Sequence, residues 1–582
     1  MHDLVIRGGM VVDGMGGEPF RADVGIDGDL IAQVGEVGEA GREEIDASGR
    51  IVTPGFVDVH THYDGQATWD EEMAPSSWHG VTTVIMGNCG VGFAPAKPDR
   101  HDWLIGLMEG VEDIPGTALA EGMSWDWETF PEYMDALEQL PRTIDIATHV
   151  PHGAVRAYVL GDREQPGAVP TDEDIDAMSA IVEDGLRAGA LGFSTSRTVI
   201  HKSVDGELVP GTTATADELV RIGRAMGRVG HGVFEMASDL RREWNEFSWM
   251  GDLSRETGLP VTFAALQSIA KELPLDEQIA MMRAENDNGA NIVAQIALRG
   301  NGVVMAWRGT VHPFRFRPSW KAIEGLPWEA QKAKLFDPEF KVQLLSEEHD
   351  FTGQPQDIMG LIMVIAGGWT LQFEMDEDFD YEPGAEASIA ARAAAKGVSP
   401  EDYAYDLLCE DDGEGFIYLP ILNYADGNLD FLETLQQDED TVNSLSDGGA
   451  HCGTICDAAS PTFMLQHWVR DRKRGGRISL AHAIKRQCHD TARLYGLNDR
   501  GVLAPGYLAD INVIDMDNLR LEKPWLAFDL PAGGKRLLQK AVGYDATIKS
   551  GAVTFRGGAV TDARPGGLIR GPQSVPVAEA AE

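Results

Sequence analysis

Short apolar runs alternate with capped amphipathic stretches through most of this chain, and no other feature narrows its fold so far. The runs cover residues 82–86, 144–148, 191–194, 233–236, 261–266, 292–297 and 442–445. Runs of that length, apolar on both faces, are what buried parallel strands require. Between them lie helical patterns. Residues 171–188 open with Thr171 and Asp174, place Ile175, Met178, Ile181, Val182 and Leu186 on one face, and stop at Gly189. Residues 215–229 repeat the scheme, with Thr215 and Glu218 as a capping box, Leu219, Ile222 and Met226 as the stripe, and Gly230 as the stop. Parallel strands need crossover connections, usually helices, so the series predicts an α/β fold whose length suits a (β/α)8 barrel with insertions.

The two ends have a different texture. Residues 4–7, 10–13, 24–27 and 30–34 read as strands separated by Gly-rich and Asp-Gly turns, and the same pattern returns at 502–515 and 546–556. Neither end has enough strands to bury a core alone, so residues 1–54 and 500–563 are expected to pair into one β domain around a barrel spanning 55–499. Residues 300–440 resist division into βα units. They mix Trp307, Trp320, Trp328 and Trp369 with acidic runs such as 376–380, and are read as a large insertion. The Pro-, Gly- and Ala-rich residues 564–582 are expected to be a flexible tail.

Lys and Arg number 48 against 93 Asp and Glu, a formal charge of −45, which argues against a nucleic-acid partner because phosphate-backbone binding needs clustered cations. No run approaches the ~18 apolar residues of a membrane span, and the N-terminus carries no signal-peptide pattern. Five cysteines are an odd and sparse set for a disulfide framework, so a reducing cytoplasm fits best.

Pro54 precedes an apolar run, Gly55-Phe56-Val57-Asp58-Val59, that ends in His60-Thr61-His62. Residues two apart in a strand point to the same side, so both imidazoles aim at one spot. If the strand is buried and parallel, that spot lies past its carboxyl end, where barrel enzymes keep their chemistry. Two converging neutral imidazoles suit a divalent metal.

Two later runs end in further donors. Residues 81–86 lead to Gly87-Asn88-Cys89-Gly90, where Cys89 is either a small buried hydrophobe or, with room left by the glycines, a thiolate ligand. Residues 442–445 lead to Ser446-Asp447-Gly448, where Asp447 is either a turn residue or a carboxylate able to bind metal and shuttle a proton. Cys452 and Cys456 with His451 lack the fourth ligand of a structural zinc site.

These stretches resemble the amidohydrolase superfamily, in particular its D-aminoacylase (N-acyl-D-amino-acid deacylase) branch. The likeness also covers Gly189-Ala190-Leu191-Gly192-Phe193-Ser194-Thr195 and Arg500-Gly501-Val502-Leu503-Ala504-Pro505-Gly506. It implies a distorted (β/α)8 TIM-type barrel with a small β-sandwich built from both termini. It further implies His60 and His62 as first-strand metal ligands, Cys89 as the thiolate this branch uses in place of a carboxylated lysine, and Asp447 as the last-strand acid/base. His152 resembles another family histidine.

One departure stands out. The branch delivers a metal-binding histidine from each of its fifth and sixth strands, whereas the matching stretches here, residues 232–239 and 261–268, contain none. Glu235 ends an apolar run at about the level of one lost histidine and is a candidate replacement oxygen, or else a carboxylate bonding a neighbouring strand end. The expected cofactor is therefore one Zn2+ held by His60, His62 and Asp447, with Cys89 and Glu235 as further candidate ligands and a second ion left open. The expected activity is metal-dependent hydrolysis of the amide C–N bond of an N-acyl amino acid or related small amide. A cyclic-amide hydrolase and a non-catalytic binding or assembly protein are the alternatives, and a homo-oligomer is compatible with each.

Overall fold

The computed structural model describes residues 1–165, 167–268, 272–356 and 358–576. Its centre is an eight-stranded parallel sheet whose neighbours follow chain order. The barrel strands are Phe56–Asp58, Val81–Met86, Asp145–Pro151, Gly192–Arg197, Val233–Ser238, Val261–Ala264, Ile292–Ile296 and Thr441–Asn443. First and last strands meet just beyond their ends, where Thr61 bridges Gly448 in parallel and the His62 N–H donates to the Gly448 carbonyl at 2.8 Å. The sheet thus curls into a distorted barrel. Phe193, Phe234, Phe263 and Ile292 face the surrounding helices, while Val57, Ile85, Ala147 and Val233 fill the inside.

The two helices that sequence periodicity predicts both form. Thr171 and Asp174 close a capping box at the start of Asp172–Ala188, and Gly189 ends it with φ 117°. Asp172 lies in the first turn and Arg187 in the last, each matching the helix dipole. At Ala216–Val229 the expected box is only half made. Thr215 accepts the Glu218 N–H, but the Glu218 carboxylate turns away to His152 and Arg156, because a buried acid gains more from a cationic partner than from a cap.

Both ends of the chain join one nine-stranded sheet, in which Ile511–Ile514 pairs antiparallel with Ile51–Pro54. Leu4, Ile6, Val24, Val52, Ile511, Val513 and Ile548 form its core. Asp145 anchors this sheet to the third barrel strand, receiving Arg500 at 2.6 Å and Lys549 at 3.0 Å. Residues 297–440 lie between the seventh and eighth barrel strands. They hold a three-stranded sheet, in which Ile417–Leu422 pairs antiparallel with Asn301–Met305, and an aromatic core of Trp307, Phe314, Trp320 and Tyr405. Among the described residues no helix is long and apolar enough to cross a membrane.

The C-terminal tail departs from expectation. Residues 564–576 are laid against the barrel: Gly566 bridges Arg142, Leu568 bridges Ile146, and Ile569 is buried with Val57, Ile85, Ala147 and Leu191. Pro and Gly deny this segment a helix, yet an extended strand needs only backbone partners, and its Leu-Ile pair covers the amino-terminal end of the barrel. The expected flexibility of 577–582 lies outside the described residues.

Candidate metal centre

His60 and His62 follow the first barrel strand and are held there by backbone bonds on both sides, Thr61 N–H to the Ile85 carbonyl and His62 N–H to that of Gly448. Both side chains are buried, with ring centroids 5.3 Å apart and the planes inclined at 68° in a T-shaped arrangement. The Nε2 of His60 lies 3.4 Å from Cys89 Sγ. One donor atom each from His60, His62 and Cys89 falls within 4.8 Å of the others. Asp447 Oδ1 stands 3.6 Å from Nε2 of His60 and 3.7 Å from Nε2 of His62.

Local backbone explains how these side chains arrive. Cys89 has φ 56° and follows Gly87 at φ 77°, a sharp turn that Asn88 locks by donating to the carbonyls of Thr61 and Ile85. A Cβ on Gly90 would sit 2.7 Å from the Ser196 nitrogen, so only glycine fits where this turn crosses the fourth strand. Asp447 also adopts the left-handed region, at φ 49°, which swings its carboxylate back over the barrel mouth. Non-glycine residues seldom hold that conformation without a surrounding structure that demands it.

Glu235, on the inner face of the fifth strand, accepts the Cys89 N–H through Oε2 at 3.0 Å. Its Oε1 is buried without a hydrogen-bond partner. The structure thus brings together all five residues singled out in the sequence. His152 is not among them, for both its ring nitrogens are engaged elsewhere, by Thr195 at 2.8 Å and Glu218 at 3.1 Å. Just past the sixth strand, Gln267 donates to Asp426 of the insertion at 2.8 Å.

Three residues that sequence reasoning did not assign to this site also belong here. Gln295 on the seventh strand accepts from His60 Nδ1 at 2.7 Å. A lone amide in the buried run 292–297 was the signal for it. Glu112, at the end of helix His101–Glu112, places Oε1 3.5 Å from His62 Nδ1 and Oε2 3.7 Å from Nε2 of His451. Nothing local in the sequence announces that position. His451 lies with Asp447, Gln66 and Arg536 around a pocket beside the histidines.

The charges are unevenly shared. Burial pushes His60 down to about 4. Burial also pulls on His62, but the carboxylates of Glu112 and Asp447 outweigh it and hold that ring up at about 9. Burial raises Glu235 to about 8, and burial together with Glu235 pushes the Cys89 thiol well up. Asp447 resists its burial, held well below the usual carboxylate range by His62, His60 and His451.

A parallel barrel with histidines, a thiol and an aspartate gathered beyond its strand ends is the architecture of a barrel hydrolase. A model of the amidohydrolase family matches residues 43–555, and the chain belongs to that family. Within it the likeness is to the D-aminoacylase branch. D-aminoacylase of Alcaligenes xylosoxydans xylosoxydans is 34% identical over 242 residues, 41% of this chain and 45% of that protein, so the match spans less than half of that relative. An uncharacterised protein of Mycobacterium tuberculosis (strain ATCC 25618 / H37Rv) is 35% identical over 587 residues, covering 96% of this chain and 92% of its own. The solved structure of a D-aminoacylase superposes with a TM-score of 0.64 at 22% identity, over 98% of this chain and 100% of that one. N-acyl-D-glutamate deacylase of Bordetella bronchiseptica, solved with zinc and a phosphonate inhibitor, gives 0.62 at 23% identity, over 98% and 99%. These two share the fold.

Proposed function

We propose that this chain is a zinc-dependent hydrolase that cleaves the amide C–N bond of an N-acyl amino acid or a related small amide. One observation carries the reading: two imidazoles, a thiol and a carboxylate converge in a buried spot at the carboxyl end of the barrel. That donor set fits zinc, which takes nitrogen, sulfur and oxygen ligands alike. The unpartnered oxygen of Glu235 and the crowding of acids around Cys89 are further reasons for a cation there. His60, His62 and Asp447 would hold the ion, with Cys89 as a further ligand and Glu235 an oxygen for a second, weaker one.

Zinc bound there supplies a Lewis acid that polarises a carbonyl and acidifies water. The chain's own residues do the rest. Asp447 takes a proton from the attacking water and gives it to the departing nitrogen, because an amine anion leaves too slowly without protonation. Its side chain is 19% exposed against 1% for either histidine, so Asp447 is the donor that reaches the pocket. Gln295 orients His60. A second reading, a relative that binds without catalysis, is favoured by the absence of histidine from the fifth and sixth strand ends.

The test is a hydrolysis screen over N-acyl-D- and N-acyl-L-amino acids with and without added zinc, alongside metal analysis of the protein as purified. Zinc-dependent release of a free amino acid is expected. Folded, zinc-loaded protein that turns over none of these amides supports the non-catalytic reading instead.

A further inference from the structure

We infer that Glu112 is a positioning residue of this site: its buried carboxylate holds His62 through Nδ1, so that Nε2 is the nitrogen offered to metal, and ties that ring to His451. The inference rests on the metal-dependent reading above. His60 and His62 present their Nε2 atoms to the same Asp447 oxygen, and each turns Nδ1 to a buried partner behind it. The two partners differ in charge. His60 has the neutral amide of Gln295, whereas His62 faces a carboxylate. A carboxylate behind a metal-binding imidazole fixes its tautomer and raises its basicity, which a neutral amide does less.

A purely structural duty for this side chain is already met by others. The loop after the eighth strand is tied to the helix end by backbone bonds, from His451 N–H to the Glu112 carbonyl and from Cys452 N–H to that of Asp113. The Asp113 carboxylate adds bonds from the Gly453 N–H at 3.1 Å and the Thr454 hydroxyl at 2.9 Å. The Glu112 carboxylate is left facing two imidazoles, at 2% exposure. Neither the Glu112 Oε1 nor the His62 Nδ1 has a hydrogen bond at the present spacing, so each is a buried polar atom whose natural partner is the other. Burying a carboxylate is expensive, and the His62 ring that Glu112 faces offsets that cost.

The measurement is zinc affinity, by competition with a chromophoric chelator, on the full-length protein, Glu112→Gln, His62→Ala and the double variant. Glu112→Gln should weaken zinc about 10–100-fold. Its metal-free melting temperature is expected to fall, since Glu112 faces the His62 ring whether or not metal is bound, and affinities are therefore compared well below both melting temperatures. In the His62→Ala background the same change should have no further effect, because Glu112 acts through that ring. Wild-type affinity in Glu112→Gln, or a loss that is as large without His62, overturns the inference. If Glu112→Gln alone does not fold, Glu112→Asp, which keeps the charge and shortens its reach to His62, takes its place in the same four-way comparison. Folded wild-type protein that takes up no zinc overturns the underlying functional reading as well, which distinguishes the two failures.

Discussion

The Nδ1 of His60 donates to Oε1 of Gln295 at 2.7 Å, joining the first barrel strand to the seventh across the inside of the barrel. Gln295 is itself held, donating to Thr262 Oγ1 and accepting from Ser444 Oγ, each at 3.1 Å. Its oxygen therefore faces His60 and leaves Nε2 of that ring toward Cys89 and Asp447. Gln295→Leu is expected to weaken zinc by about 10–100-fold in chelator competition. Unchanged affinity would mean that packing alone orients the ring.

Asp447→Asn keeps the side chain's shape and removes its basic carboxylate. On a confirmed substrate kcat should fall by about 10²–10⁴. Near wild-type turnover in the folded variant would reduce Asp447 to a turn residue.

Metal content tests the one-ion reading. Wild-type protein should retain one equivalent of tightly held zinc after dialysis, and His60→Ala should lose it. Glu235→Gln should keep the tight ion but lose any second, weaker one that excess zinc loads. Two tightly held equivalents in the wild type would falsify the one-ion reading.

Stability should fall on acidification through a group outside this site. Glu382 meets Arg472 at 3.0 Å, and both side chains are nearly free of solvent. Burial alone would raise the Glu382 carboxyl, but hydrogen bonds from His467 and Arg472 hold it at about 2, below the usual carboxylate value. A depressed folded pKa contributes stability above the unfolded value of about 4.3, and that contribution is lost as pH falls from there towards 2. Urea midpoints measured between pH 6 and 3 should drop more steeply for wild type than for Glu382→Gln. The variant should be the less stable at pH 6, since it leaves Arg472 short of a partner. Parallel pH profiles would remove Glu382 from the account.

Ending the chain after Ala563 should destabilise the barrel. The deletion exposes the cluster around Ile569, and burying one such side chain is worth about 1.5–3 kcal/mol. It also removes the contacts of Arg570 with Asp135 and Glu138, which are exposed enough to matter little. A lower melting temperature is expected, and an unchanged one would make the segment a passive strap.

The sequence by itself determined the order and place of the barrel strands, because burial on both faces writes a continuous apolar run into neighbouring residues. It determined the helix at Asp172–Ala188 for the same reason, since cap, stripe and stop are all local. That His60 and His62 face one spot follows from a two-residue period. Tertiary structure alone decided the rest. Asp447 reaches His60 only because the barrel closes between its first and last strands and the backbone at Asp447 turns left-handed. Glu235 reaches the Cys89 N–H only through the register of the fifth strand and the turn after the second. Glu112 and the Ile569 segment carried no pattern of their own, because their partners lie far away in the chain. Periodicity records which way a side chain points, and only the closed barrel decides what it meets.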